Sequence, residues 1–425
     1  MQIPGVPESL LEALIAAAQG RRLALVGGAV RDLLLHRRHQ DPWRGLPDLD
    51  LVVEGRALDL IEPLKVELSK TWRTSFSLSA RVHGRYQTVE LCLELPSETW
   101  LLDLASARRE IYVKPASNPC VELGSLEDDL VRRDFTVNAM ALDLQSGSLL
   151  DPFGGREDLA ARQLRFLHTN SFRDDPSRLI RAARYAARLN FEISSESLLQ
   201  VTEGLQAWPW PWTPMNAPEA APPALAVRLR RELELLLEKE PWQKALEFLQ
   251  YCGGLRLLDQ SIQEDPKWHQ RLLLAEHYQL PRLLSLIAVS KRASELAQRL
   301  KIPQSQQKLL EQMLQLRRRV QHFHMNHSAV SHPPSVWCQL FEEPVKNPPA
   351  VALAYVTGSE PSQTMLRWLE TWQYVRSPEN GAALCREGWS PGKALGEELK
   401  RRRMHALDQL PGLPHAEFND ESMES

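Results

Sequence analysis

The sequence contains few cysteines and no excess of positive charge. Its five cysteines are scattered over 425 residues without the paired spacing of a disulfide framework or a zinc site, which fits a reducing compartment. The formal net charge is −3, so a surface that binds nucleic acid must arise from local clusters of basic residues. The cysteines are Cys92, Cys120, Cys252, Cys338 and Cys385.

Long hydrophobic runs are also missing. The N-terminus has neither the basic start nor the apolar core of a signal peptide, and no apolar stretch approaches the roughly 20 residues that cross a membrane. The length allows two or three domains, and the hydrophobic fraction of 43% is ordinary for a soluble protein. Together these features predict a soluble, cytoplasmic protein.

The stretch Leu46–Val53 places two carboxylates, Asp48 and Asp50, on a short apolar strand. Because successive side chains of a strand alternate between its faces, both carboxylates point the same way. Adjacent carboxylates among apolar neighbours are costly unless a cation neutralises them, and hard oxygen ligands at this spacing suit Mg²⁺. The alternative is an exposed Asp-x-Asp turn after Gly45, which the stretch taken alone does not exclude.

A candidate phosphate cradle precedes this strand. The apolar segment Leu23–Val26 leads into Gly27 and Gly28, and the helical pattern that follows carries Arg31 in its first turn. Backbone N–H groups at such a junction of strand, glycines and helix point at an anion. Paired glycines alone also suit a tight connection, but within about twenty residues of the carboxylate strand they predict a joint phosphate and metal site.

Two further segments place charged groups in apolar patterns. Asp103 lies in the nearly apolar strand Trp100–Ala105, where it is either paired with a basic group, which the strand alone favours, or is a third metal ligand. Residues 126–141 mix Arg, Asp and Asn with apolar positions, which on a half-buried helix is usually a solvated face. Arg132 and Arg133 could instead bind a triphosphate through bidentate hydrogen bonds.

Four motifs come in the order and spacing of one family: Gly27–Asp32, Asp48–Asp50, Arg132–Ala139 and Asp174–Arg178. On these motifs the chain resembles the class II tRNA nucleotidyltransferases, which comprise the CCA-adding enzymes and their bacterial poly(A) polymerase relatives. The resemblance covers roughly residues 20 to 255 and is patchier beyond them.

The resemblance implies an α+β head domain with a small mixed sheet of the polymerase-β-like nucleotidyltransferase type, followed by all-α neck, body and tail domains. We expect the catalytic head at 1–150, a helical neck with the nucleotide-selecting helix at 151–260, a helical body and tail that bind tRNA at 261–410, and a disordered tail at 411–425. The Pro- and Trp-rich stretch 208–223 is interpreted as a linker.

The resemblance also implies the chemistry of the site. Asp48 and Asp50 would hold two Mg²⁺ ions, with Asp103 as the third carboxylate, while an RNA 3′-hydroxyl attacks the α-phosphate of a nucleotide and pyrophosphate leaves. Asn138 would contact the ribose hydroxyls. The residues expected to receive the triphosphate are Gly27, Gly28, Arg31, Arg132 and Arg133.

Nucleotide choice is expected at a helix that begins at Asp174. Asp175 and Arg178 are three residues apart and would share a face of that helix. Cytosine and adenine both present an exocyclic amine beside a ring nitrogen, which an aspartate and an arginine can match, whereas uracil and guanine present the reverse pattern. The alternative is an ordinary ion pair within the helix, which would be preferred without the other motifs.

Basic residues in the C-terminal half are candidate RNA contacts, although such clusters are more often solvated faces. The candidates are Arg317, Arg318, Lys393 and Arg401.

The function expected from the resemblance is template-independent addition of C, A or both to the 3′ end of tRNA, with CTP and ATP as substrates. No membrane is expected among its partners. Whether the product is CCA, CC only or A only stays open, as does the oligomeric state. In the family this choice is thought to depend on a mobile loop, here 105–130, whose middle Pro115 and Pro119 would stiffen. The alternative functions are a poly(A) polymerase and a catalytically inactive RNA-binding protein.

Overall fold

The computed structural model describes residues 3–43, 45, 48–72, 75–83, 88–96, 98–207, 222–326 and 332–410. Contacts between residues divide the chain into two compact units, Met1–Gln263 with Arg299–Lys301, and Glu264–Gln298 with Ile302–Ser425. The predicted division of the first unit into head and neck at residue 150 stays a prediction. The predicted tail at 411–425 and residues 208–221 of the predicted linker lie outside the described residues.

The described residues form eleven strands and twenty α-helices. The strands are β1 Leu23–Val26, β2 Leu49–Val53, β3 Ser77–His83, β4 Thr88–Glu94, β5 Thr99–Ser106, β6 Arg108–Ile111, β7 Cys120–Leu123, β8 Ala141–Asp143, β9 Leu149–Leu150, β10 Gln163–Leu164 and β11 Glu192–Ile193. The helices of the first unit are α1 Glu8–Ala17, α2 Gly28–His39, α3 Ile61–Thr71, α4 Leu126–Val131, α5 Gly155–Ala161, α6 Ser171–Asp174, α7 Ser177–Leu189, α8 Ser195–Gln206, α9 Pro223–Lys239, α10 Trp242–Tyr251 and α11 Gln260–Gln263.

The second unit is helical within its described residues, apart from its loops. Its helices are α12 Trp268–His277, α13 Arg282–Ile287, α14 Ala293–Arg299, α15 Gln304–Asn326, α16 Pro334–Glu342, α17 Pro348–Val356, α18 Ser362–Glu370, α19 Gly381–Arg386 and α20 Lys393–Asp408. Helix α15 packs against α17, and α16 packs against α20. None of the described helices is both long and apolar enough to cross a membrane.

A seven-stranded mixed sheet in the first unit positions the carboxylates. Its strand order is β3-β4-β5-β2-β1-β8-β9, and β2 pairs with β5 in parallel while its other pairings are antiparallel. The parallel register sets Asp50 directly beside Asp103. The predicted α+β fold, with a mixed sheet followed by helices, is therefore confirmed.

A buried apolar cluster packs helix α4 against this sheet and so fixes where the segment after the helix begins. Val26 and Val52 from the central strands pack with Leu126 and Leu130 of α4. The helix begins with a capping box at Ser125, whose hydroxyl accepts a hydrogen bond from the N–H of Asp128. Because the helix ends at Val131, the two arginines that follow it emerge close to the strands that carry the carboxylates.

The structure differs from the sequence-based expectations at three places. Residues 126–141 do not form one helix, because α4 is followed by a 3₁₀ turn at Thr136–Asn138 and by strand β8. The segment 105–130, expected as a loop, contains the hairpin of β6 and β7. Strand β3 was not predicted. It is an edge strand that is exposed along most of its length, so it lacks a strong apolar pattern.

Gly155, the first residue of α5, packs against the 3₁₀ turn so closely that it leaves no room for a side chain. A Cβ there would overlap the carbonyl oxygen of Thr136 and lie 3.0 Å from Met140. We expect Gly155→Ala to destabilise the first unit by about 2–3 kcal/mol, because backbone must move, and thermal unfolding followed by circular dichroism measures the loss. Gly396→Ala in α20, where no atom lies within 4 Å of the new Cβ, is the control and should cause no loss. Equal stability of the two variants would contradict this packing.

Candidate active site

Three carboxylates meet on one face of the mixed sheet. Asp48 precedes β2, Asp50 lies in β2 and Asp103 in β5, and one oxygen from each lies within 4.8 Å of the other two. Of the two interpretations of Asp103, the structure supports the shared cluster. Three hard oxygen ligands with this spacing suit a divalent cation.

The cluster is electrostatically costly without a cation. Burial raises the pKa of Asp50 to about 6, with a further contribution from Asp48, and Arg133 only partly offsets them. Burial also raises the pKa of Asp103, again assisted by Asp48. Like charges held this close in a partly buried site favour either a proton or a metal ion, so the residues present fit a divalent cation.

The anion cradle lies beside these carboxylates. Gly27 has φ of 67° and connects β1 to α2, whose first residue is Gly28. A Cβ on Gly27 would lie 2.9 Å from Arg133 Nη1 and 3.9 Å from Asp50 Oδ2. Only glycine combines this positive φ with so close an approach. The cradle, the Arg133 guanidinium and the candidate metal ligand Asp50 therefore lie side by side.

Arg31 is held inside the fold and does not extend freely towards the cleft. Its guanidinium donates to both oxygens of Asp32, at 2.8 and 3.0 Å, and to Asn138 Oδ1 at 2.7 Å. Asn138 in turn donates from Nδ2 to Asp134 at 3.0 Å. Both residues border the predicted site, but their side chains build a buried network, so their contact with a nucleotide stays a prediction.

Arg132 and Arg133 are anchored by one buried carboxylate. Asp129 Oδ1 accepts from Arg132 Nη2 at 2.6 Å, and Oδ2 accepts from Arg133 Nη2 at 2.8 Å. Burial tends to raise the pKa of Asp129, but the two arginines outweigh it and lower the pKa. Arg133 Nε is buried and makes no hydrogen bond within the described residues. The guanidinium atom that faces Gly27 is Nη1.

A cleft of about 420 Å³ opens from the cradle towards α7 and α9. Six arginines and four carboxylates line it, an excess of positive charge that fits a polyanionic ligand. The arginines are Arg132, Arg133, Arg178, Arg181, Arg228 and Arg231.

Asp175 and Arg178 both line this cleft, but the expected shared helix face is wrong. Helix α7 begins at Ser177, and Asp175 lies before it in extended backbone. Asp175 Oδ1 accepts from the Ser177 hydroxyl at 2.7 Å and from Arg228 Nε at 3.2 Å. Arg178 donates to Ser171 Oγ at 2.5 Å and to the Arg132 carbonyl at 2.9 Å. No ion pair joins Asp175 to Arg178 among the described residues, so the alternative of an intrahelical pair is not supported.

Several lining residues were not predicted from the sequence. Tyr185 of α7 lies beneath the guanidinium groups of Arg31, Arg181 and Arg188, at 5.2, 5.7 and 5.4 Å from its ring centroid. Asp134 is buried and accepts a hydrogen bond from Arg181 Nε at 2.8 Å. The spacing of Arg181, Tyr185 and Arg188 along α7, four and then three residues, was a usable signal, since such residues share a helix face.

The candidate RNA contacts of the second unit differ in availability. Arg317 donates to Ser359 Oγ at 2.5 Å, and burial lowers its pKa to about 10. Arg401 is bound to Glu398 at 2.8 Å, and Lys393 lies 3.8 Å from Glu397. Arg318 is exposed and forms no ion pair within the described residues. Their contact with RNA stays a prediction.

A mixed sheet with clustered carboxylates beside an anion cradle defines a head domain of the nucleotidyltransferase class. Residues 23–165 match the family model described as Poly A polymerase head domain. This part of the chain is similar to such a domain, and the resemblance to the class II tRNA nucleotidyltransferases is confirmed.

Similar proteins carry related names. The chain is 35% identical over 257 residues, 59% of its length, to an A-adding tRNA nucleotidyltransferase of Aquifex aeolicus, of which the match covers 27%. It is 42% identical over 192 residues, 44% of its length, to a CC-adding tRNA nucleotidyltransferase of Deinococcus radiodurans, of which the match covers 46%. The chain therefore spans less than half the length of either relative.

Solved structures show the fold over nearly the whole chain. The apo form II of a CCA-adding enzyme superposes with a TM-score of 0.65 at 24% identity, covering 97% of this chain and 94% of that one. The Thermotoga maritima CCA-adding enzyme complexed with tRNA gives 0.62 at 23% identity, covering 97% of each chain.

Replacing Asp50 with Asn removes a charge that the metal-free fold disfavours. A carboxyl group whose pKa is raised to about 6 reduces stability as the pH rises from about 4 through 6, because the folded state keeps the proton longer than the unfolded state. At about pH 7.5 without divalent cations, we expect Asp50→Asn to raise the free energy of unfolding by on the order of 1–3 kcal/mol.

Thermal unfolding with and without MgCl₂ measures both effects. The cation should stabilise the unchanged protein and have little effect on Asp50→Asn. Asp59→Asn, which changes an exposed aspartate of the same unit, should respond to MgCl₂ like the unchanged protein. An equal response of Asp50→Asn would contradict a cation site at this cluster.

Proposed function

We propose that this protein is a template-independent tRNA nucleotidyltransferase that adds C, A or both to the 3′ end of tRNA from CTP and ATP. The observation that carries the proposal is the closeness of three elements at Gly27, where a Cβ would lie 2.9 Å from the Arg133 guanidinium and 3.9 Å from the carboxylate of Asp50: the cradle, the guanidinium and the carboxylate. A nucleotidyl transfer needs a triphosphate held in line beside metal ligands, and these elements are adjacent here.

Asp48, Asp50 and Asp103 are the proposed ligands of Mg²⁺. When bound, the cation supplies charge neutralisation at the attacking and leaving oxygens. The N–H groups at the start of α2 and the guanidinium of Arg133, whose Nη1 faces Gly27, would bind the triphosphate. Asp129 holds Arg132 and Arg133 in place, so positive charge is already oriented before the nucleotide arrives.

Asp175 and Arg178 are the proposed readers of the base. Asp175 uses Oδ1 for Ser177 and Arg228, while Oδ2 makes no hydrogen bond within the described residues and remains available to an exocyclic amine. Arg178 is fixed through Nη1 and Nη2. A pair with fixed orientation discriminates strongly, because the wrong base leaves a buried polar group unpaired.

The RNA 3′ end has a separate route to the carboxylates. A second cleft, of about 270 Å³, reaches Asp50 and Asp103 from strands β3 and β4, where His83, Thr88 and Glu90 line it. Two substrates must meet at the metal ligands, and two clefts that share Asp50 provide a place for each of them.

We place the reaction in the cytoplasm, since the five cysteines are all free thiols.

A primer assay tests the proposal. Three tRNAs, ending at the discriminator base, after one C and after CC, are incubated with CTP, ATP or both in MgCl₂. Addition of C or A to at least one of them is the expected result, and the pattern identifies CCA, CC-only or A-only synthesis. Asp48→Ala should abolish turnover and leave tRNA binding intact, whereas Asp59→Asn should remain active. No addition to any tRNA would overturn the proposal, and A tails on generic RNA would favour a poly(A) polymerase.

Asp175→Asn tests the base reader. An amide group replaces one accepting oxygen with a donor, so it mismatches the exocyclic amine of cytosine and adenine. We expect kcat/KM for CTP and ATP to fall about 10- to 100-fold, with a smaller change for UTP. Asp174→Asn is the matched control, because its carboxylate lies 4.0 Å from His168 Nε2 and outside the cleft lining. Unchanged selectivity of Asp175→Asn would exclude Asp175 as the reader.

A further inference from the structure

The hairpin of β6 and β7 presents one aromatic ring to the nucleotide cleft. Arg108, Glu110 and Tyr112 alternate along this segment and are more buried than the residues between them. Tyr112 lines the cleft, and its hydroxyl donates to Glu110 Oε2 at 3.2 Å. Glu110 itself forms an ion pair with Arg108 at 2.8 Å, so the residue that accepts from the Tyr112 hydroxyl is held in place.

Tyr112 lies next to the proposed base readers. Burial and the Glu110 carboxylate raise the pKa of Tyr112, and Asp175, Arg178 and Arg228 are close enough to act on the same phenol. A base whose edge is read by Asp175 and Arg178 therefore has the tyrosine beside it.

The ring of Tyr112 has no aromatic or cationic partner among the described residues. The other tyrosine in the cleft lining, Tyr185, differs in this respect because three guanidinium groups already lie over it. Proteins bind a base by hydrogen bonds to its edge and by stacking on its face, and stacking requires an apolar or aromatic side chain. Tyr112 is the aromatic surface of this cleft that is left for a base.

The tip of the hairpin is hydrogen-bonded to the elements that hold Asp175. The N–H of Ala116 donates to the carbonyl of Asp174 at 3.1 Å, and Arg228 Nη2 donates to the carbonyl of Ala116 at 2.7 Å. Arg228 also holds the carboxylate of Asp175. The position of the ring relative to the base readers is therefore fixed by the backbone of the hairpin.

We propose that Tyr112 stacks on the base of the incoming nucleotide and forms the wall of the base pocket that faces Asp175 and Arg178. The inference rests on the proposed function for the identity of the ligand, ATP or CTP. Purines offer more ring area than pyrimidines, so the contribution of Tyr112 is larger for ATP than for CTP.

Nucleotide binding by the unreacted protein tests the inference independently of turnover. Dissociation constants for ATP and CTP are measured by calorimetry in MgCl₂ for the unchanged protein and for Tyr112→Ala, Tyr112→Phe and Tyr251→Ala. We expect Tyr112→Ala to weaken ATP binding about 10-fold or more and CTP binding less. Tyr112→Phe keeps the ring and should remain within about 3-fold. Tyr251→Ala, at an exposed tyrosine of α10, is the control for removal of an aromatic side chain.

The outcomes separate this inference from the proposed function. Equal weakening by Tyr112→Phe and Tyr112→Ala would assign the effect to the bond with Glu110 and overturn stacking. ATP binding within 2-fold of normal in Tyr112→Ala, with an unchanged unfolding temperature, would also overturn it. Loss of ATP affinity in Tyr112→Ala together with no nucleotide addition to any RNA would support the stacking and overturn the transferase. Failure of the unchanged protein to bind either nucleotide would overturn both.

Discussion

Mutual repulsion of three carboxylates is the constraint on which this site depends. The parallel pairing of β2 with β5 holds Asp50 beside Asp103, and the residue before β2 adds Asp48. Nothing in the register relieves the repulsion, and the pKa values of Asp50 and Asp103 are raised first by burial and then by the neighbouring carboxylates. The surrounding structure supplies only partial relief, through Arg133 across Gly27. A fold that retains this cost is prepared for a ligand that carries positive charge.

The positive side of the cleft is organised by other buried carboxylates. Asp129 orients Arg132 and Arg133, and Asp134 binds Arg181 while it also accepts from Asn138. Burial opposes the ionised form of both aspartates, but their arginine partners lower both pKa values. Arginines fixed in this way lose little further freedom when a triphosphate binds, which favours affinity and geometry together.

The sequence was informative where strong periodicity or a dense motif was present. The strands β1 and β2, the helix α2 and the pair Asp48 and Asp50 were predicted because apolar runs and glycines mark them, whereas Asp103 joined the cluster only through the family resemblance. The hairpin of β6 and β7 was missed because its prolines and alternating charges resemble a loop. The break between α6 and α7 was missed because the Asp175–Arg178 spacing fits a continuous helix equally well. The partners of Arg31 and Asn138 were not predictable, since residues 107 positions apart meet only through the fold.

Reading the edge of a base does not by itself set the product. Asp175 and Arg178, the proposed readers, would match the feature that cytosine and adenine share, so such a pair would not distinguish a pyrimidine from a purine. Discrimination between the two bases therefore needs a second contact, and in our proposal the hairpin supplies it through the ring of Tyr112, on which a purine has more stacking area than a pyrimidine. The tip of the hairpin is hydrogen-bonded to Asp174 and to Arg228, which holds Asp175, so a change in the hairpin would act on the ring and on this reader together. Relatives named for A addition and for CC addition both match this chain.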